Sequence, residues 1–329
     1  MTTKEILARI QKHPSGSVKI AYADIDGILR GKYISKEKFL SIAEKETSFC
    51  DVIIGWDASD VLYDRATLTG WHTGFPDTPS QIDLQTFRQI PWEDNQPFFL
   101  GELLDARHQP SAACGRQLLK KIQQQARDMG FTPVFSQEFE WYNFAETPQS
   151  IREKNYKGLT PLTPGMFGYS ILRTSLKKEF FHDLLEQLPA FGIPLEGLHT
   201  ETGPGTYEAA IAHSTVLEAA DRAVVFKTAV KEIAYRHQAM ATFMAKINET
   251  LPGCGGHIHQ SLWDASQKKN LFYNEKDRQH LSETAKSYLA GQLQCLPVIL
   301  PLIAPTLNSY KRLVEGAWAP TTLTWGIDN

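Results

Sequence analysis

The sequence lacks the features that mark several large classes of protein. It has four cysteines, at positions 50, 114, 254 and 295, and no C-x-x-C pair, so neither a disulfide framework nor a cysteine zinc site is predicted. Its 34 basic and 37 acidic residues give a net charge of −3, without the basic excess typical of nucleic-acid-binding proteins. We therefore expect no nucleic-acid partner and a reducing, cytoplasmic location.

Long apolar segments are also missing. The most apolar stretch, residues 296–307, contains three prolines and is much shorter than the roughly 20 residues that a membrane-spanning helix needs. The first residues carry charges throughout and lack the apolar centre of a signal peptide. We expect a soluble protein that has no membrane partner.

Segments of both helix and strand character are present. The length of 329 residues suggests about two domains. Runs rich in β-branched and aromatic residues flank Asp26-Gly27 and predict a hairpin, whereas residues 118–129 have helical spacing and end at Gly130. A polar linker at residues 105–111 predicts an N-terminal domain, 1–106, and a second domain, 107–329. Strands and helices interleave without a regular βαβ period, which indicates the α+β class.

Two glutamates stand two residues apart in an aromatic-rich run, residues 131–144, which predicts a pair of strands. Residues i and i+2 of a strand project from one face, so Glu138 and Glu140 point the same way. Two buried carboxylates this close require a cation or protons to neutralise them. The alternative is an exposed strand face without a ligand.

A second pair of glutamates flanks a Gly-Pro-Gly turn at residues 203–205. The turn can fold two short strands back, so that Glu201 approaches Glu208. A plain hairpin with solvated ends is the alternative. Further along, His257 and His259 follow a glycine-rich segment and share a strand face; a purely structural role is the alternative for each.

These residues together predict an oxygen-rich site for a hard divalent cation, Mg²⁺ or Mn²⁺. Arg312 adds a planar guanidinium that can bind a carboxylate or a phosphate, although a surface arginine is the simpler interpretation of this residue alone. Spacing leaves phosphoryl transfer, glycoside hydrolysis and a single-metal oxygenase or hydrolase open.

Taken in order along the chain, the motifs resemble those of the glutamine synthetase family, and the resemblance covers nearly the whole sequence. The matching segments are Asp24-x-Asp-Gly-x-x-Arg-Gly-Lys32, Glu138-x-Glu140, residues 201–208, residues 253–261, and Asn308-Ser-Tyr-Lys-Arg312 with Ala319-Pro320. The resemblance implies an N-terminal β-grasp domain and a catalytic domain whose antiparallel, half-barrel-like sheet is flanked by helices.

The resemblance also implies an activity, ATP-dependent joining of a glutamate-like acid to ammonia or an amine through an acyl phosphate. Two or more Mg²⁺ or Mn²⁺ ions and small-molecule substrates are implied with it. The implied ligands of the cation on the amino-acid side are Glu140, Glu201 and Glu208. The implied ligands of the cation between the ATP phosphates are Glu138 and His257.

Other site residues follow from the same resemblance. The implied nucleotide-side residues are Glu196, His259 and Ser261, and the implied residues for the acid substrate are Gly253 and Arg312. Stacked rings of identical subunits are implied as well, with Asp51 or Asp57 reaching a neighbouring site. The sequence does not choose between these two aspartates.

Three departures from the family pattern affect these expectations. Pro252 and Thr206 stand where many members carry Asn and Gln, which points to an altered substrate specificity. Trp318 stands where ammonia-using members carry a glutamate, so we expect an organic amine as the nucleophile. The resemblance also implies further arginines and a last glutamate ligand beyond Asn329. We therefore expect an incomplete catalytic domain that has little activity by itself. The alternative is a catalytically degenerate family member with a structural or regulatory role.

Overall fold

The structure is a computed structural model that describes residues 1–327. Asn329, beyond which the rest of the catalytic domain is expected, lies outside the described residues. The helices are α1 (Thr3–Lys12), α2 (Lys36–Ile42), α3 (Gly115–Asp128), α4 (Pro148–Glu153), α5 (Ile171–Leu176), α6 (Lys178–Ala190), α7 (Val216–Arg236), α8 (Glu283–Ile303) and α9 (Leu307–Arg312). None of the helices in this range combines the length with the hydropathy that a membrane span requires.

The strands form two separate sheets. They are β1 (Ser17–Ala23), β2 (Leu29–Ser35), β3 (Thr47–Cys50), β4 (Asp77–Ile90), β5 (Gln96–Leu103), β6 (Thr132–Phe144), β7 (Leu195–Thr200), β8 (Thr206–Ile211), β9 (Ser214–Thr215), β10 (Met240–Thr242) and β11 (Gly256–Trp263). The chain divides into two compact units, residues 1–125, 187–193 and 220–228, and residues 126–186, 194–219 and 229–329. The predicted domain boundary after residue 106 stays a prediction.

The first unit contains a five-stranded sheet in the order β2-β1-β5-β4-β3. Strands β1 and β5 are parallel, and the other neighbours are antiparallel. The predicted hairpin is confirmed as β1 and β2, and Gly27 in its turn has a φ of 71°. Gly31 allows the two strands to approach closely, because a Cβ there would lie 2.1 Å from the carbonyl oxygen of Ile20.

Strand β5 is buried along its whole length, although it contains a carboxylate. Glu102 is fully buried and forms ion pairs with Arg116 and Lys120. The Arg116 guanidinium also contacts Asp83 at 2.8 Å and Asp221 at 2.8 Å. A buried charge is tolerated only when it is paired, so these ion pairs offset the cost of burying Glu102.

The sheet of the second unit is organised around β6. Strands β8 and β9 pair along one edge of β6, whereas β10 and β11 pair along the other, and all these pairs are antiparallel. Strand β7 extends the sheet beyond β8. The α+β class is therefore confirmed. The prediction of two strands over residues 131–144 is wrong, because this run forms one continuous strand that pairs on both edges.

Candidate active site

Strand register brings three of the predicted glutamates and one predicted histidine together on three adjacent strands. Glu140 of β6 lies directly opposite Glu208 of β8. Glu138, two residues earlier on the same face, lies opposite His257 of β11. Strand β6, which is paired on both edges, thus brings together residues from motifs that are separate in the sequence.

The Gly-Pro-Gly turn between β7 and β8 is held tightly against β6. Asn143 is fully buried and donates from its side chain to the carbonyl oxygen of Gly205 at 3.0 Å, while its backbone N–H donates to the same oxygen at 2.8 Å. Gly205 has a φ of 71°, and a Cβ there would lie 2.3 Å from the carbonyl oxygen of Asn143. The predicted hairpin is confirmed, and this anchoring determines where Glu201 and Glu208 stand.

One group of possible metal ligands consists of Glu138, Glu208 and His257. Each offers a ligand atom, and these atoms lie within 4.8 Å of one another. The Glu138 carboxylate lies 3.3 Å from Nδ1 of His257 and 3.1 Å from Nε2 of His259. The predicted pair of Glu138 and His257 is therefore brought together, with Glu208 beside it.

A second group consists of Glu201, Glu208 and a residue that the sequence analysis missed, His199. His199 Nε2 lies 3.4 Å from the Glu208 carboxylate, and the ring stacks on Tyr169 at 4.3 Å between centroids. The sequence does indicate His199, because His199 and Glu201 have the same i, i+2 spacing as Glu138 and Glu140. Tyr169 could not be found this way because it comes from a separate loop.

Glu140 stands beside these groups rather than within them. It is not a member of either set of mutually close ligand atoms in residues 1–327. Its carboxylate is close to Gly255, where a Cβ would lie 2.8 Å from Oε1 of Glu140. Glu140 and Glu208 of the predicted set lie on paired strands and Glu201 directly follows β7, but the residue that groups with Glu201 and Glu208 is His199, which was not predicted.

Burial and mutual repulsion raise the pKa of two of these carboxylates. Burial raises the pKa of Glu140, and Glu201 adds to the shift, while Arg312 opposes it. Burial also raises the pKa of Glu208, with Glu140 as the next cause. A divalent cation would relieve this repulsion, and the carboxylate oxygens that dominate this set suit Mg²⁺ or Mn²⁺. The donor set therefore fits the implied cations.

Arg312 and Gly253, which the family resemblance implies for one site, are in contact. A Cβ on Gly253 would lie 2.0 Å from Cδ of Arg312. The guanidinium donates to the carbonyl oxygens of Ala317 and Trp318, the latter at 3.1 Å. Within residues 1–327, Nε of Arg312 is a buried polar atom without a hydrogen-bond partner. The Trp318 side chain itself is 98% exposed.

Two of the predicted nucleotide-side residues have other contacts. Glu196 lies at an irregularity in the pairing of β7 with β8, and its carboxylate is 3.3 Å from Nδ1 of His213. The hydroxyl of Ser261 donates to the carbonyl oxygen of Val134 at 3.1 Å and accepts from the Trp263 indole at 3.0 Å. Their role toward a nucleotide stays a prediction.

The two candidate aspartates of the first unit differ in environment. Asp51 is buried and accepts a hydrogen bond from the Thr69 hydroxyl at 2.7 Å. The carboxylate of Asp57 accepts from the backbone N–H groups of Ser59 and Val61 and closes a loop. Both carboxylates have local partners, and the predicted reach into a neighbouring subunit stays a prediction.

The amino-acid sequence matches a known family of ligases. The glutamine synthetase catalytic domain matches residues 112–329. The chain belongs to this family.

Individual relatives share most of the chain. Type-1 glutamine synthetase 2 of Dictyostelium discoideum is 54% identical over 324 residues, which are 98% of this chain and 62% of the relative. The glutamate–isopropylamine ligase of a Pseudomonas species is 33% identical over 97% of this chain and 70% of its own length. The solved GmaS/ADP complex has a TM-score of 0.82 at 23% identity over 98% of this chain and 72% of that one. The chain thus spans about two thirds of the length of these relatives.

Proposed function

We propose that this chain carries the catalytic residues of an ATP-dependent ligase, which joins the γ-carboxylate of glutamate, or of an analogue, to ammonia or an organic amine. The observation that carries the proposal is the constellation of Glu138, Glu208 and His257 next to Glu201 in a member of this family. Binding of two divalent cations there would supply charge neutralisation for a phosphoryl transfer.

The proposed reaction has two steps. A γ-carboxylate oxygen attacks the γ-phosphorus of ATP, the bond to ADP breaks, and an acyl phosphate forms. The amine nitrogen then attacks the acyl carbon, loses a proton and displaces phosphate. Such a transfer depends mainly on positioning and on charge stabilisation, and the acyl phosphate must be kept from water.

Different residues of this chain would bind the acid, the two cations and the nucleotide. Arg312 would hold the α-carboxylate of the acid with its fork of N–H donors, beside Gly253. Glu140, Glu201 and Glu208 would hold the cation on the acid side, and Glu138 with His257 the cation on the phosphates. Glu196, His259 and Ser261 would face the nucleotide.

We propose an organic amine as the nucleophile. Trp318 offers an apolar surface where ammonia-using family members carry a glutamate. The similarity to a glutamate–isopropylamine ligase at 33% identity supports the same conclusion. We further propose that the active form is a homo-oligomer of stacked rings.

The test measures ADP release by the native protein from its source and by the 329-residue chain. Each receives ATP, glutamate, Mg²⁺ or Mn²⁺ and either ammonia or one amine from a panel. We expect release that depends on both glutamate and an amine. Preference for ammonia would refute the choice of amine, whereas cation binding without ADP release from the native protein would indicate a catalytically degenerate member.

A further inference from the structure

The imidazole of His199 is oriented as a metal ligand. Its Nε2 lies 3.4 Å from the Glu208 carboxylate and its Nδ1 lies 3.9 Å from that of Glu201. We propose that His199 binds a divalent cation together with Glu201 and Glu208. This inference rests on the proposed function, because it concerns the cation on the acid side of the same site.

The hydrogen bonds of the ring determine which nitrogen is available. His199 Nδ1 lies 3.1 Å from the backbone carbonyl oxygen of Thr200. A carbonyl oxygen only accepts hydrogen bonds, so Nδ1 carries the proton. The neutral ring then has its lone pair on Nε2, the atom next to Glu208. Histidines that bind metals commonly donate their other N–H to a backbone carbonyl or a carboxylate.

Tyr169 restrains the plane of this ring. The two rings are stacked with an interplanar angle of 22° and 4.3 Å between centroids. The backbone N–H of Tyr169 donates to the Thr200 carbonyl oxygen at 2.7 Å, and the N–H of Ser170 donates to the Thr200 hydroxyl at 2.9 Å. The loop is thus pinned to the strand that carries His199. Tyr169 acts as a positioning residue for the ligand.

The donor set predicts a preference among cations. Two carboxylates and one imidazole form a mixed oxygen and nitrogen site. Mg²⁺ favours oxygen ligands and retains water, whereas imidazole is a ligand of transition metals, so we expect Mn²⁺ to accept the imidazole more readily than Mg²⁺. We expect removal of the imidazole to weaken Mn²⁺ binding by about tenfold or more, and to change Mg²⁺ binding by much less.

The decisive experiment detects nitrogen bound to manganese in the full chain. Pulsed electron paramagnetic resonance of bound Mn²⁺ is recorded for a H257Q/H259Q double variant, which removes the imidazoles beside Glu138. Persistent ¹⁴N coupling that disappears when H199Q is added would support the proposal. Bound Mn²⁺ without ¹⁴N coupling in the double variant would overturn it and leave the proposed ligase function intact.

Affinity measurements separate this role from a general effect on folding. H199Q is compared with H182Q, since His182 lies on α6 and belongs to neither candidate ligand group. Y169A is compared with Y169F, which keeps the stacked ring. We expect weaker Mn²⁺ binding for H199Q and Y169A at unchanged far-ultraviolet circular dichroism, with H182Q and Y169F near wild type. Equal affinity of H199Q and H182Q would contradict the proposal. Failure of the unaltered chain to bind Mn²⁺ would overturn both the proposal and the cation-dependent function.

Discussion

The close approach of Gly205 to β6 can be tested with a single added methyl group. In G205A the new Cβ would lie 2.3 Å from the carbonyl oxygen of Asn143 and 3.1 Å from the backbone nitrogen of Leu162. Both neighbours are backbone atoms, so neither can move away as a flexible side chain would. The turn must shift, and Glu201 shifts with it.

Two costs add up at this position. An L-residue at a φ of 71° is strained by about 1–2 kcal/mol, and overpacking costs typically about 1–3 kcal/mol. We expect G205A to lower the free energy of unfolding by about 2–5 kcal/mol. G158A is the matched control, because Gly158 has a φ of 59° and a Cβ added there would have no atom within 4 Å. G158A should lower the free energy of unfolding only through backbone strain. The entropic stabilisation that comes from replacing glycine is common to both variants.

Urea unfolding followed by tryptophan fluorescence measures the difference. Trp141 reports locally, since it is fully buried and its indole donates to Asn143 at 2.9 Å. Mn²⁺ affinity should fall in G205A and stay unchanged in G158A. Equal destabilisation by the two substitutions would refute the argument that close packing against β6 positions the turn.

Three further predictions concern other contacts. Glu208 belongs to both candidate ligand groups and Glu138 to one, so E208Q should reduce the number of bound Mn²⁺ ions more than E138Q. Equilibrium dialysis measures this number, and equal losses in the two variants would contradict the prediction. In G253A the Cβ would lie 2.0 Å from Cδ of Arg312 and would displace the guanidinium. We expect glutamate binding, measured by calorimetry, to weaken by about tenfold, and an unchanged affinity would exclude Arg312 as the carboxylate ligand. Hydrogen bonds from Lys154, a hydroxyl and a backbone N–H lower the pKa of Glu146 to about 2. Because the pKa of Glu146 is lower in the folded than in the unfolded state, wild type should exceed E146Q in stability by its full amount above about pH 4.5, and this difference should vanish as the pH falls toward about 2. A stability difference independent of pH would refute this prediction.

Strand alternation accounts for most of what the sequence predicted correctly at the site. Glu138 and Glu140 share a face for this reason, and the Gly-Pro-Gly turn leaves little freedom in how Glu201 meets Glu208. The same alternation, applied to Leu195–Thr200, also predicts that His199 shares a face with the next residue but one, Glu201.

Other features depend on contacts that local sequence does not encode. An apolar, aromatic run from 132 to 144 is equally compatible with a hairpin and with one long central strand, because the choice depends on which distant strands pair with it. Tyr169 reaches His199 only through a loop pinned to Thr200. Arg312 was assigned to the site through the family resemblance, whereas its contacts with Ala317 and Trp318 arise from the local chain path after α9.

Glu208 belongs to both candidate ligand groups and would therefore couple the binding of the two proposed cations thermodynamically. Glu208 can offer its oxygens to either ion or bridge both, so occupancy of one group changes the charge that the other ion meets. By linkage, the factor by which the first ion alters the affinity for the second must equal the reverse factor. The binding isotherm should therefore depart from that of two independent sites, and the concentration of free cation becomes a variable that sets how many ions are bound when the substrates arrive.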